Sequence, residues 1–518
     1  MDKRHNVLIL SYIFPPIGGG GVPRPLKMAK YLGEFGWGVH VLTADPSYHA
    51  TLDPSLLADV PADVQIHRAK EMTAKFRKPT KDTQVSSGKQ ADDKQASSSQ
   101  TTRDNGSDST PDHVGEKGEA ENKKSATNAQ NVVASSRQVT EVIAQPSLVA
   151  RLKNTLFQTA KKIKPYLLIP DDQILWYPEA LKVGREIMRK HRIDVIFSTS
   201  GPVTNHLVAR KLAAEFGCKW IADFRDPWTQ NMHRSGIAWR ELLEERMEAK
   251  VMKQADVITT VTATFAKNFQ IKYPATTNRM ELIYNGFDKA DFANLTPAHT
   301  VPDRFHAAYA GILYQKRNPR LLLSAIKELI DEGLVDQQEI CLSFAGVFDY
   351  PGYSENRDCV EQLGLQNAVR VLGNLPHKEA LGLMSGADAL LMIGDVTPDA
   401  GAYIPGKLYE YMGVGKPILA LNMPGEATEI IQRFGLGEVA NPTDKDAMKQ
   451  AYLHLYQAWK QQKENGSSTQ RDESFYDRVK LYERREQAGQ LAHLMNELVG
   501  GAGDSEKASL AKTNLIKE

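Results

Sequence analysis

A lysine and a glutamate, Lys407 and Glu410, stand three residues apart just behind Pro405. Pro405 suits the first turn of a helix, where its fixed φ is helical and its missing N–H would have no partner. Lys407 and Glu410 then share one helix face. Gly413 and Gly415 are expected to end that helix, and 416–421 reads as a buried strand. A helix N-terminus with an ammonium beside it suits a diphosphate, because free N–H groups, the dipole and the cation all favour negative charge. A carboxylate one turn further in suits a ribose or sugar hydroxyl. The same spacing also suits a solvated ion pair on an amphipathic helix, and the stretch alone does not choose.

Other loops add chemistry. Gly18, Gly19, Gly20 and Gly21 follow the first apolar run and let backbone N–H groups approach a phosphate or a sugar. The dinucleotide fingerprint fails there: counted from Gly18 its third glycine is Pro23, and counted from Gly19 it is Arg24. Asp223, Arg225, Asp226 and Trp228 end another apolar run, and charges at a strand's carboxyl end face a cleft. The alternative there is an internal Asp–Arg brace. Gly311 with Lys316 and Arg317 lies between a strand and a helix, which suits pyrophosphate or else a cationic surface loop. Gly373, followed by Pro376 and His377, can present backbone groups to a base. His206 falls within a helix and reads as structural. Asp444 and Asp446 match a metal-binding spacing, but Asp444 stands where a helix cap belongs, so no metal site is expected.

These residues need a scaffold. Strands are predicted at 6–11, 39–43, 195–198, 220–224, 257–261 and 282–284, and again at 307–310, 340–344, 369–372, 389–393, 418–421 and 437–439. Helical patterns lie between them, for example at 317–331, 377–384 and 446–460. Such alternation predicts parallel sheets covered by helices on both faces. Two series predict two doubly wound domains, 1–292 and 293–473, with the site between them at the strands' carboxyl ends.

The chain has 518 residues, enough for two or three domains. Its 64 basic and 63 acidic residues give no basic excess, which argues against a nucleic-acid partner. Cys218, Cys341 and Cys359 lack paired or metal-ligand spacing and fit free thiols in a reducing compartment. The first apolar run is too short for a signal peptide, and no run approaches the roughly 18 residues of a membrane span. A cytoplasmic protein is expected. Residues 73–147 contain no Leu, Trp, Tyr, Met or Cys, so they are expected to form a disordered insertion in the first domain; 501–518 is similar. At 146–170, Arg151, Lys153, Lys161, Lys162 and Lys164 interleave with Leu148, Leu152, Leu156, Phe157 and Ile163 at helical spacing. That pattern suits peripheral contact with the anionic inner face of the plasma membrane, or a core-packed helix with a solvated face.

Jointly, the loop 15–21, the segment 223–228, Asn285 to Asp288, Gly311 with Lys316 and Arg317, and the block 405–417 resemble the family 4 retaining glycosyltransferases of bacterial surface-polysaccharide synthesis. The resemblance covers the chain except 73–147 and its last residues. It implies the GT-B fold, with two Rossmann-like domains facing across a cleft. It also implies a nucleotide-diphosphate sugar held mainly by the C-terminal domain, and a polysaccharide or lipid-linked saccharide acceptor held by the N-terminal one. Glu410 matches the second acid of the family's Glu-x7-Glu pattern and would bind ribose. The first acid maps to Ala402, a departure that leaves the backbone around Gly401 to serve the sugar. The family's arginine after Gly311 maps to Ile312, so Lys316 or Arg317 would carry phosphate binding. Its strand-end histidine maps to Arg225, which leaves Asp226 a polar role at the acceptor. A helix over 474–498 is expected to cross back to the first domain.

The resemblance therefore makes Asp226, Arg225, Lys316 and Arg317 the candidate catalytic residues. Gly311, Lys316, Arg317, Gly373, Gly401, Lys407 and Glu410 are the candidate donor site, and Gly18–Gly21 the acceptor or phosphate loop. No cofactor is expected beyond the nucleotide-sugar co-substrate. Retention in this family asks mainly for positioning and charge stabilisation, with the leaving diphosphate helping to deprotonate the acceptor. Two other readings stay open: a nucleotide-sugar epimerase on the same fold, and a silent nucleotide-sugar-binding subunit of a polysaccharide assembly complex, which Ala402 and Ile312 both allow.

Overall fold

The computed structural model describes residues 4–49, 51–72, 164–231, 234–397, 400–466 and 473–500. The first sheet contains β1 (Asn6–Leu10), β2 (Gly38–Ala44), β3 (Gln65–Ala69), β4 (Val195–Thr199), β5 (Lys219–Phe224), β6 (Val257–Thr260) and β7 (Met280–Leu282). They pair in parallel in the order β3-β2-β1-β4-β5-β6-β7. The second contains β8 (Phe305–Ala310), β9 (Ile340–Ala345), β10 (Val369–Gly373), β11 (Ala389–Ile393), β12 (Ile418–Leu421) and β13 (Gly437–Ala440), parallel in the order β10-β9-β8-β11-β12-β13. Both sheets are doubly wound, as the alternation predicts. The strand order reverses between β1 and β4 and again between β8 and β11, and each reversal opens a crevice at the strand ends.

Burial on both faces explains the continuous apolar runs. Val7 and Ile9 of β1 join one core, whereas Leu8 and Leu10 join the core on the opposite face. In the second sheet Ala307 and Tyr309 face one core and Ala308 the other.

Three elements differ from the sequence expectation. Strand β3 was not expected, because Gln65 to Ala69 carries three polar residues out of five on a half-covered edge. Strand β7 ends two residues earlier than expected, since the carbonyls of Ile283 and Tyr284 accept from the Arg24 guanidinium at 3.0 and 2.8 Å. The helix expected over 474–498 is two helices, Glu473–Arg478 and Arg484–Gly500. Between them a 3-10 turn, Lys480–Tyr482, gives way at Glu483 to a bridge with Phe287: the Phe287 N–H donates to Tyr482 O and the Arg484 N–H to Phe287 O. The first helix packs Phe475 onto the second sheet's core. The second packs Ala488, Leu491 and Met495 into the first sheet's core, against the helix Pro23–Leu32.

The insertion 73–147, residues 146–163 of the basic segment 146–170 and the tail 501–518 lie outside the described residues. Among the described residues no helix is long and apolar enough to cross a membrane.

Candidate functional site

The helix Gly406–Val414 begins at the carboxyl end of the second sheet. Pro405 is its N-cap rather than its first residue. Gly415 ends it in the left-handed conformation, at φ 75°. Gly413 lies inside the helix, where any Cβ would strike the Phe292 ring. The helix start opens into a cavity of about 560 Å³ lined by Gly311, Gly346, Asn374, His377, Lys407 and Glu410. Gly311 has φ 154°, and a Cβ there would lie 2.2 Å from Lys407 Nζ. Glycine is required at this position for the ammonium to approach the backbone.

Lys407 and Glu410 do not pair. Among the described residues neither side chain makes a salt bridge or hydrogen bond, although they are one turn apart. The ammonium instead lies 5.1 Å from the centre of the Tyr309 ring. Burial lowers the Lys407 pKa, reinforced by Arg317. Burial raises that of Glu410, opposed by His377 and Lys407. Two half-buried, opposite charges thus face one cavity from one helix, each without a hydrogen-bonding partner.

The other predicted donor residues lie around this cavity or away from it. Gly373 accepts from the Gly346 N–H at 2.6 Å and shapes the wall, while the following Asn374 and Leu375 line it. Lys316 and Arg317 do not line the cavity. The tight turn between Tyr314 and Arg317 points the guanidinium at Asp395, 2.9 Å away, so its charge is largely met. Gly401 lies against Pro424 and Gly425, where a Cβ would meet the Pro424 carbonyl at 2.1 Å, so close backbone packing accounts for it. Ala402 packs against the first sheet's core, and Ile312 lines the cavity half-exposed.

Across the cleft, the Asp223 to Trp228 segment divides its tasks. Asp223 is fully buried and accepts two bonds from Arg24, at 2.7 and 2.9 Å, plus the hydroxyls of Thr199 and Thr259. Its carboxyl is held below the usual range: burial opposes this, and the Arg24 charge with the hydrogen bonds from Arg24, Thr199 and Thr259 together outweigh it. Asp223 is therefore the internal brace. Arg225 faces the cleft and donates to Gly21 O at 3.0 Å. A Cβ on Gly21 would meet Ile13 at 2.4 Å and Arg225 at 2.8 Å, so the loop needs glycine there. Gly20 lines the cleft, Gly18 is tied to Thr51 O, and Gly19 takes φ 122° at the exposed turn. Asp226 is half-exposed in a separate pocket of about 670 Å³, with Tyr12, Ser200, Gly201 and Trp228. His206 is structural: it is fully buried, and its Nδ1 lies 2.8 Å from the Ser198 hydroxyl, which accepts from Trp220 Nε1.

A seam joins the two halves. Asn285 Oδ1 accepts from Arg24 at 3.3 Å and from Arg484 at 3.5 Å. Gly286 admits the Tyr482 carbonyl, which a Cβ would meet at 1.9 Å. Asp288 caps the short helix Lys289–Phe292 and accepts from Lys30 at 3.0 Å and Tyr31 at 2.6 Å. Around this seam lies a second cavity of about 320 Å³, which shares Glu410, Gly406 and His377 with the first and adds Arg24, Arg225 and Arg484. Sequence reasoning missed Arg24 and Arg484 as site residues, and took His377 only as part of a turn presenting backbone to a base, whereas the residue itself lines both cavities. Only His377 carried a local signal, as the first helical residue after Pro376.

Two parallel, doubly wound sheets facing a shared cleft, with a C-terminal helix returning to the first, define the GT-B class. The comparisons assign the family. Residues 127–291 match the model described as Glycosyltransferase Family 4, and residues 296–471 that described as Glycosyl transferases group 1, together about two thirds of the chain. The chain belongs to the GT-B glycosyltransferases of the family 4 type. Its fold is similar to that of sucrose-phosphate synthase from Thermosynechococcus elongatus, at 13% identity and TM-score 0.54, covering 96% of this chain and 100% of that one. A glycosyltransferase from Rickettsia africae gives the same four figures. The N-terminal domain of trehalose-6-phosphate phosphatase from Candida albicans matches at 11% identity and TM-score 0.52, covering 96% of this chain and 97% of that one. No curated protein matches the chain by sequence.

Proposed function

We propose that this glycosyltransferase moves a sugar, with retention, from a nucleoside-diphosphate sugar to a polysaccharide or lipid-linked saccharide acceptor. One observation carries the donor assignment: Lys407 and Glu410 share a helix turn, face one cavity and leave each other unpaired. An apo protein that buries two such charges apart is prepared for a ligand with an anion for one and hydroxyls for the other. A nucleoside diphosphate offers both. The diphosphate meets Lys407 and the free N–H groups at the start of Gly406–Val414. The ribose diol donates to Glu410. Asn374 and Leu375 offer backbone to the base. Lys407 takes over from the arginine that Ile312 replaces, because its ammonium reaches Gly311 from the neighbouring helix.

The acceptor then occupies the pocket beside Asp226 and Trp228, at the β1–β4 crevice. Arg225 stands between that pocket and the cleft. The protein supplies position and fixed positive charge to the departing diphosphate, and the diphosphate helps to take the acceptor proton. The reading needs no cofactor and places the reaction in the cytoplasm, at the inner face of the membrane.

The test is turnover. Purified protein is incubated with sugar-labelled UDP, GDP and ADP sugars and a membrane lipid extract. Transfer of label to the extract supports the proposal. Donor binding without transfer favours the silent subunit, and donor isomerisation without an acceptor favours an epimerase.

A further inference from the structure

The cavity at the seam holds more cationic charge than its partners meet. Arg484 is 7% exposed at the start of Arg484–Gly500. Its Nη1 reaches two neutral acceptors, Gln487 Oε1 at 3.2 Å and Asn285 Oδ1 at 3.5 Å. Among the described residues it forms no ion pair. Burial, then Arg24 and Arg225, lower its pKa to about 9, so the guanidinium still carries its proton at neutral pH. Among the described residues Arg225 has only the Gly21 carbonyl and a 3.4 Å approach to Asp226, whose carboxylate is half in solvent. Tyr409 lines the same cavity, and its buried hydroxyl has no hydrogen-bond partner among the described residues.

The nearby carboxylates do not supply the missing charge. Asp223 is engaged by Arg24. Asp288 is met by Lys27 and Lys30, and Asp291 by Lys27. Glu410 lines the cavity too, but among the described residues it forms no ion pair or hydrogen bond with either arginine. A buried guanidinium without a counter-charge is costly to keep, and a planar fork of donors suits a phosphate oxyanion.

We propose that Arg225, Arg484 and the Tyr409 hydroxyl form a phosphate-binding subsite on the N-terminal side of the cleft, apart from the Lys407 pocket. The helix that returns from the second sheet thereby contributes a binding residue as well as packing. The proposal rests on the glycosyltransferase reading, in which the phosphate comes from a phosphorylated acceptor or is the donor's distal phosphate.

The probe is inorganic phosphate, titrated at constant ionic strength and followed by phosphorus NMR line width, with and without saturating UDP. Wild type is expected to bind, and Arg484→Met and Arg225→Gln each to weaken binding at least tenfold. Arg225→Gln, on a half-open loop, keeps the test alive if Arg484→Met fails to fold. Phosphate that still binds beside UDP marks an acceptor-borne group. Phosphate displaced by UDP, with UDP itself weakened in both variants, marks the donor's distal phosphate. Equal binding by wild type and both variants, or no binding by any, overturns the subsite. Failure of wild type to bind any nucleoside diphosphate would instead overturn the donor reading and leave the phosphate result standing.

Discussion

Lys407 has lost much of its hydration and gained an aromatic ring, glycine backbone and the unbonded attraction of Glu410 in return. Its removal should therefore cost the apo protein nothing. Lys407→Met is expected to leave the apo melting temperature unchanged or raised while nucleoside-diphosphate affinity falls tenfold or more by calorimetry. Lower apo stability with intact affinity would make the lysine structural. Gly311→Ala tests the same contact from the other side. Its Cβ would fall 2.2 Å from the ammonium, on a backbone at φ 154° that alanine rarely adopts, so donor binding should be lost. Lys407 and Glu410 were legible in the sequence because three-residue spacing on one helix is local information. Arg24 and Arg484 were not. The carboxylate of Arg24 lies 199 residues away, and the shared acceptor of Arg484 also lies 199 residues away. Nothing in their flanking sequence marks either as part of a site.

At the scale of elements, the turn at Asn285 to Asp288 is the joint of the molecule. It accepts two guanidiniums, passes a backbone bridge to the C-terminal segment and caps a helix. Gly286→Ala puts a Cβ 1.9 Å from the Tyr482 carbonyl, a clash with backbone that no rotamer relieves. It is expected to lower stability by about 2 kcal/mol or more in denaturant melts. A neutral result would mean that the returning segment is loosely held. The core strands were readable because burial on both faces writes a continuous apolar run. Strand β3 and the break near 479–483 were not readable, since the first is set by edge pairing with β2 and the second by a bridge to Phe287.

Across the whole molecule, contacts at several points fasten the two sheets. Ala488, Leu491 and Met495 pack in the first core. Glu426 accepts from the N–H groups of Ala263 and Thr264, at 3.0 and 3.3 Å, capping a helix of the other half. Tyr403 meets Phe265 edge-on at 5.1 Å. Each half also buries a neutral histidine. Burial lowers His206 and His306 to about 4, from 6.5. Because the folded pKa lies below the unfolded one, each contributes full stability above about pH 6.5 and loses it as pH falls toward 4. The loss is up to about 1.4 kcal/mol per pH unit per group. Melting temperature should drop steadily between those limits, and His306→Gln should flatten the profile. A flat wild-type profile would show that neither ring is buried neutral.

The central claim is that a nucleoside diphosphate sits between Lys407 and Glu410, and Glu410 tests it most directly. A ribose diol donates up to two charge-assisted bonds, each worth about 1.5–3 kcal/mol. Calorimetric titration of wild type, Glu410→Gln and Glu410→Ala with the best-binding nucleoside diphosphate should show tenfold to hundredfold weaker binding in the alanine variant. The glutamine variant should fall between, and all three should share one apo melting temperature. Unchanged affinity in the folded alanine variant, with a lower apo melting temperature, would contradict the account and return Glu410 to the scaffold.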